Sequence, residues 1–439
     1  MTSRIALLTL VTVLWALPGQ SATTTLVQQS GDPFEWYLCS TTTDTCATAA
    51  HPTYATALSC TVDRTARTTN KDFILIGHVA AYREATGNFY YVVPRQNGSD
   101  MVVHDALGET GSGTTEGSGM MKNWVEQVTV NAGTSTTFTW EIAWFGTTCS
   151  STGGDRCCVD EAAFAILEKT ADVQYASTGN LGCGFTGDTE TALTLTFTPA
   201  STTTYYLVWA GAGQMFNWVA NESSYGGPKF FNSTDAVTYQ ENNFGCPIPQ
   251  DTANDSDRFM IGGVGVESVE ASSHSFRVDY NCHNDASTNG CCFREHNMAA
   301  FPVSYFAENF DDAENPLGST DTFNNTGGTH PDVTQAVSHT AGRDYVGVMA
   351  AELANEDPTE RGHGSFTNGT NAFVLRNSID RDGDTNSEYQ TNFVLTFEKD
   401  AASGSRTWVP SFESSTTGGP KEAITRRVRM WIGGKDATN

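Results

Sequence analysis

Eleven cysteines carry the most legible chemistry in the chain. They are Cys39, Cys46, Cys60, Cys149, Cys157, Cys158, Cys183, Cys246, Cys282, Cys291 and Cys292. Two vicinal pairs follow a single upstream cysteine: Cys149 precedes Cys157-Cys158, and Cys282 precedes Cys291-Cys292. The spacing predicts disulfides, with Cys149 bonded to Cys157 or Cys158 and Cys282 bonded to Cys291 or Cys292. Cys39 and Cys46 offer a further local loop. Cys46 and Cys183 also stand at similar distances before equivalent strands, which suggests that each ties to the spare member of a vicinal pair. Cys60 and Cys246 stay unassigned, and an odd count leaves at least one thiol over.

Oxygen ligands form the second constellation. Asp380, Asp382, Asp384, Asn386 and Glu388 alternate along one short run. A hard cation takes six to eight oxygens, so this run is a candidate calcium loop. It departs from the EF-hand pattern, because its glycine is fourth rather than sixth and Thr391 stands at the twelfth place. The competing reading is a solvated hairpin around an Asp-Gly turn. His283, Cys291, Cys292 and His296 could supply zinc or copper ligands, but the equivalent first stretch keeps the cysteines and lacks the histidines, which favours disulfides. The nine histidines are otherwise scattered. No nucleophile elbow, H-E-x-x-H or phosphate loop occurs. Asp160, Glu161 and Glu295 recur after the cysteine pairs and read as charges at loop ends. The chain therefore reads as non-enzymatic. Among the tryptophans, Trp140 and Trp144 lie on apolar strand faces. Trp209 and Trp408 are further candidates, and Trp218, in a less regular segment, is the best ligand-binding candidate because sugar faces stack on exposed rings.

The elements that must position these residues are strands. Phe138–Trp144 and Phe276–Tyr280 both alternate apolar and polar residues with period two, the pattern of a half-buried strand. Each is followed by a cysteine, a polar loop and a vicinal pair, at spacings of 133 and 134 residues. Three more segments align upstream, around Phe73, Tyr206 and Tyr345. No stretch of twelve or more residues keeps a helical period. The expectation is an all-β chain of three tandem β-sandwich domains, immunoglobulin-like or jelly-roll, repeating every 135 residues or so. The boundaries are 40–172, 173–312 and 313–439, with the acidic stretch Glu308–Pro316 as the last linker. Residues 23–39 form an extended N-terminal arm.

Residues 1–22 read as a secretory signal: Arg4, then an apolar run too short to span a bilayer, then small residues. No other stretch is apolar enough for a membrane span. A formal net charge of −26 argues against a nucleic-acid or anionic-membrane partner, because phosphate binding needs clustered cations. Sequons at Asn97, Asn221, Asn232, Asn254, Asn324 and Asn368 are glycosylation candidates. An exported, disulfide-bearing chain of tandem sandwiches with a spare arm reads as a self-assembling subunit of an extracellular filament, sheath or coat. Its partner would be a second copy, bound by β-strand addition. The alternative is an adhesive or lectin-like protein that binds glycans or a cell surface, with calcium as its one candidate cofactor.

Overall fold

The computed structural model describes residues 34–439 apart from 51, 84–87, 102–117, 147–155, 180–181, 185–188, 218–223, 242–254, 285–289, 314–320, 324–327, 331, 356–361, 371, 377–389, 415–422 and 437–439. The described elements are strands and one 3₁₀ turn, Val303–Tyr305. The cause is the two-residue beat seen in sequence. In Ala55–Asp63, for example, Leu58, Cys60 and Val62 are buried while Ser59, Thr61 and Asp63 are exposed.

All strands of the six sheets pair antiparallel, and one order recurs three times. The first larger sheet runs Trp36–Thr41, Cys157–Glu168, Lys71–Arg83, Ser118–Val130. The second runs Gln174–Thr178, Gly290–Pro302, Thr203–Asn217, Asp255–Val269. The third runs Glu308–Ala313, Ala423–Asp436, Arg343–Asn355, Gln390–Glu398. We call these the inner sheets. Each is faced by an outer sheet that has Ala55–Asp63, Thr189–Phe197 or Gln335–His339 at an edge. Between inner and outer sheets lie three apolar cores, which contain Phe73 and Trp140, Tyr205 and Trp209, and Tyr345 and Trp408.

A fourth core joins everything. It draws Ile74, Ile76 and Leu167 from the first inner sheet, Tyr206, Val208 and Phe301 from the second, and Val346, Val348 and Trp431 from the third. The inner sheets are therefore buried on both faces, and their strands read as long apolar runs for that reason. The three-way alignment of Phe73, Tyr206 and Tyr345 is one residue out in its second member. Phe73 and Tyr345 point toward their outer sheets, whereas Tyr206 lies in the shared core and Tyr205 takes the equivalent place. Side chains alternate faces, so a one-residue slip exchanges the two cores. Two adjacent tyrosines hide that slip in the sequence.

Two segments read as irregular are strands. Trp36–Thr41, at the end of the expected arm, pairs with Ala162–Leu167 and buries Trp36 and Leu38. Glu35 anchors its start: its carboxylate takes Arg64 at 3.0 Å and Arg67 at 3.2 Å, all three being buried. The acidic stretch expected as a linker contains the edge strand Glu308–Ala313, paired with Arg429–Gly434. Charged residues are tolerated there because an edge strand faces water. Val303–Ala307 connects Gly290–Pro302 to this strand and plants Tyr305 and Phe306 in the shared core.

Candidate functional site: a three-way sheet junction and its outer edge strands

The strands Ser118–Val130, Asp255–Val269 and Gln390–Glu398 close their inner sheets and meet at the middle of the molecule. One rung there is filled differently in each sheet. His78 faces Asn123 in the first, Ala210 faces Gly262 in the second, and Ala350 faces Phe393 in the third. The Phe393 ring occupies the space over Gly262, where a Cβ would stand 2.6 Å from ring carbons and 2.7 Å from the Trp209 carbonyl oxygen. Asn123 clamps the same residue through its backbone. Its Nδ2 donates to Phe393 O at 2.6 Å, and its Oδ1 accepts from Phe393 N at 2.9 Å. His78 Nδ1 accepts from Leu395 N at 3.1 Å. Burial holds the His78 pKa down to about 3, so the ring is neutral and free to accept at Nδ1. A polar, a small and a large pair thus key three similar sheets together in one arrangement.

Methionines continue the interlock. Met121 packs into the core of the third set of strands, and Met260 packs into the core of the first. From the third inner sheet, Arg429 donates to the carbonyls of Tyr239 and Thr238, at 3.2 and 3.5 Å, and Trp431 Nε1 to Leu207 O at 3.4 Å.

A carboxylate seam lies between the first and second sets. Trp124 Nε1 donates to Glu126 Oε2 at 2.9 Å. Tyr175, whose OH donates to Asn297 Oδ1 at 2.7 Å, and Glu295 are the neighbouring ionisable groups. Burial first, and the Glu295 charge second, push the Glu126 carboxyl up to about 7, against the Trp124 hydrogen bond. Burial also pushes Tyr175 up to about 12. Sequence reasoning missed Glu126 and placed Asp160, Glu161 and Glu295 at loop ends. Instead they lie on long strands, at or beside the register shifts after Ala80 and Gly211, with Glu161 buried. A bulge turns a side chain against the two-residue beat, which is why alternation gave no sign of it.

The periphery is different in kind. Among the described residues, Ala55–Asp63, Thr189–Phe197 and Gln335–His339 each pair along one side only within their sheets. Their exposed side chains include Thr56, Ser59 and Thr61, then Thr191, Thr194 and Thr196, then Ala336 and Ser338. None of the three strands contains Lys, Arg or Pro, the residues that commonly blunt a sheet edge.

The remaining candidates fall as follows. Cys39 is bonded to Cys60, which ties an inner strand to an outer one, so the local Cys39–Cys46 loop is not formed. Cys46 is bonded to Cys158, and Cys157 is disulfide-bonded as well. For Cys183, Cys282, Cys291 and Cys292 the backbone alone is described. Its register sets Cys183 opposite Cys292, as Cys46 is set opposite Cys158. His283 and His296 stand on opposite sheets, and among the described residues no group of three or more potential metal ligands gathers. Trp140, Trp209 and Trp408 are buried and cannot present a face to a ligand. Asn97 sits in an exposed Asn-Gly turn with φ of 49° and 79°, an accessible place for a glycan. Asn232 and Asn368 are instead buried, and their side-chain amides donate to Asp235 and Glu267 and to Phe397 O. Residues 1–22 and 23–33, Cys149, Cys246, Trp218, Asn221, Asn254, Asn324 and the run Asp380–Glu388 lie outside the described residues. No helix among the described residues is long and apolar enough to cross a membrane.

No family model and no curated protein matches the chain. Among solved structures, the infectious bursal disease virus Gx strain structure aligns at 7% identity and a TM-score of 0.20, over 90% of this chain and 77% of that one. The T=1 particle structure derived from infectious bursal virus aligns at 8% identity and 0.21, over 90% and 79%. The tandem CBM22-1-CBM22-2 domains of Paenibacillus barcinonensis Xyn10C align at 8% identity and 0.14, over 61% and 100%. At these scores the likenesses carry no inference about this chain.

Proposed function

We propose that the chain is a secreted, non-enzymatic structural protein that assembles with copies of itself into an extracellular filament, sheath or coat. It is organised as three tandem β-sandwich domains, supported by the recurring sheet order and by the change of sheet pair between Glu168 and Gln174 and between Pro302 and Glu308. The observation that carries the proposal is the trio of edge strands, Ala55–Asp63, Thr189–Phe197 and Gln335–His339. Their exposed side chains are mostly small, and the three strands contain no Lys, Arg or Pro. An extended segment can add to such an edge through main-chain hydrogen bonds. The segment before Phe34 is the donor we assign, because the strand it leads into, Trp36–Thr41, is itself an edge addition to an inner sheet. A head-to-tail contact of this type propagates unless rotation closes it. The disulfides Cys39–Cys60 and Cys46–Cys158 fit an oxidising compartment.

The test is negative-stain electron microscopy of the secreted protein with and without residues 23–33. Regular filaments, tubes or sheets that vanish on deletion support the proposal. Isolated particles from the full chain at micromolar concentration overturn it.

A further inference from the structure

Two turns of the second set of strands meet at one end and bring three side chains into line. Ser272 Oγ lies 3.0 Å from His274 Nε2, and His274 Nδ1 lies 2.8 Å from Asp235 Oδ2. Ser272 and Asp235 are exposed and His274 between them is buried, so the line runs from solvent inward and back. Asp235 is itself held. Its Oδ2 accepts from the buried Asn232 Nδ2 at 2.7 Å, and Asn232 Oδ1 accepts from Thr234 N at 2.9 Å. In the tautomer whose Nδ1–H donates to Asp235, the His274 Nε2 lone pair can accept from the Ser272 hydroxyl. If the proton moves to Nε2, the imidazolium has a second acceptor in Glu270 O, 3.1 Å away. Nucleophile, base and orienting carboxylate in hydrogen-bond contact are the parts that activate a serine, recognised by geometry rather than by sequence order.

We propose that Ser272 is an activated nucleophile with His274 as its base and Asp235 as a positioning residue. Its partners are activated esters and phosphonyl halides. In the step with an ester, Ser272 Oγ bonds to the acyl carbon and the bond to the leaving oxygen breaks. His274 takes the serine proton and passes it to the leaving group. The Ser272 N–H is spent on Glu270 O at 2.8 Å, so it does not serve as an oxyanion donor. The site therefore takes reagents with good leaving groups and is modified once per chain. This goes beyond the structural role and does not depend on assembly.

The experiment treats the full secreted chain with a biotinylated fluorophosphonate and maps the adduct by peptide mass spectrometry. Ser273, also exposed and next in the chain, is the internal control. The expected result is one label per chain at Ser272, at least ten-fold faster than at Ser273 and absent in S272A. H274Q should slow labelling at least ten-fold. D235N should lower the maximal labelling rate with an unchanged half-saturating probe concentration. Thermal unfolding of each variant checks the fold. Equal labelling of Ser272 and Ser273, an unmodified Ser272, or an undiminished rate in folded H274Q overturns the proposal.

Discussion

Single residues decide how the three inner sheets fit. Gly262 is required by the Phe393 ring and the Trp209 carbonyl, so G262A forces atoms apart in a packed centre. Overpacking of this kind costs about 1–3 kcal/mol, read as a lower denaturation midpoint. Glu126 sets a pH dependence. Its pKa in the folded chain, about 7, lies above the ordinary glutamate value of 4.5, so near neutral pH the folded state holds a proton that the unfolded chain has lost. Stability from this group is full below about pH 4.5, falls as pH rises toward 7, and stays reduced above. E126Q should therefore match the wild type in acid and exceed it at neutral pH, by up to about 3 kcal/mol from the size of the shift. Urea titrations at pH 4 and 8 check this, and a pH-independent difference would contradict it.

At the scale of elements, the disulfides differ in what they constrain. Cys46–Cys158 closes a separation of 112 residues and Cys39–Cys60 one of 21. In the chain-entropy view, stabilisation grows slowly with loop length, from about 3 kcal/mol for short loops to about 4.7 for a hundred residues. C46A/C158A should thus lose more stability than C39A/C60A in equilibrium unfolding. The edge strands are tested by charge. S59K, T61K and T194K place lysines on exposed edge positions, where they cost the folded chain little. Assembly followed by light scattering should fall in these variants while thermal unfolding stays unchanged. Undisturbed assembly would remove these edges from the interface.

The whole molecule behaves as a unit because of its shared core. Residues from all three inner sheets bury one another, and Asn123, Arg429 and Trp431 bridge sheets through backbone groups. Beads on a string would unfold in separate steps, since small interfaces leave domains independent. This chain should instead unfold in one calorimetric transition. G262A, at the junction, should shift that whole transition rather than detach one part. Three resolved transitions would show that the shared core contributes little cohesion.

Alternation of apolar and polar residues determined the strands, and the repeated cysteine pattern marked equivalent places along the chain. Both are local properties, because a strand's period and a short loop's spacing are written within a few residues. What covers the second face of an inner sheet is not local. Only the tertiary structure decided that the apolar runs around Ile74, Val208 and Val348 face one another, that Tyr205 rather than Tyr206 is the equivalent of Phe73, and that Cys39 reaches Cys60. The same holds for Glu126 beside Glu295 and for Ser272, His274 and Asp235. Glu126 and Glu295, and likewise Asp235 and the local Ser272–His274 pair, come from strands and turns far apart in sequence, and their chemistry exists only once packing sets the distances.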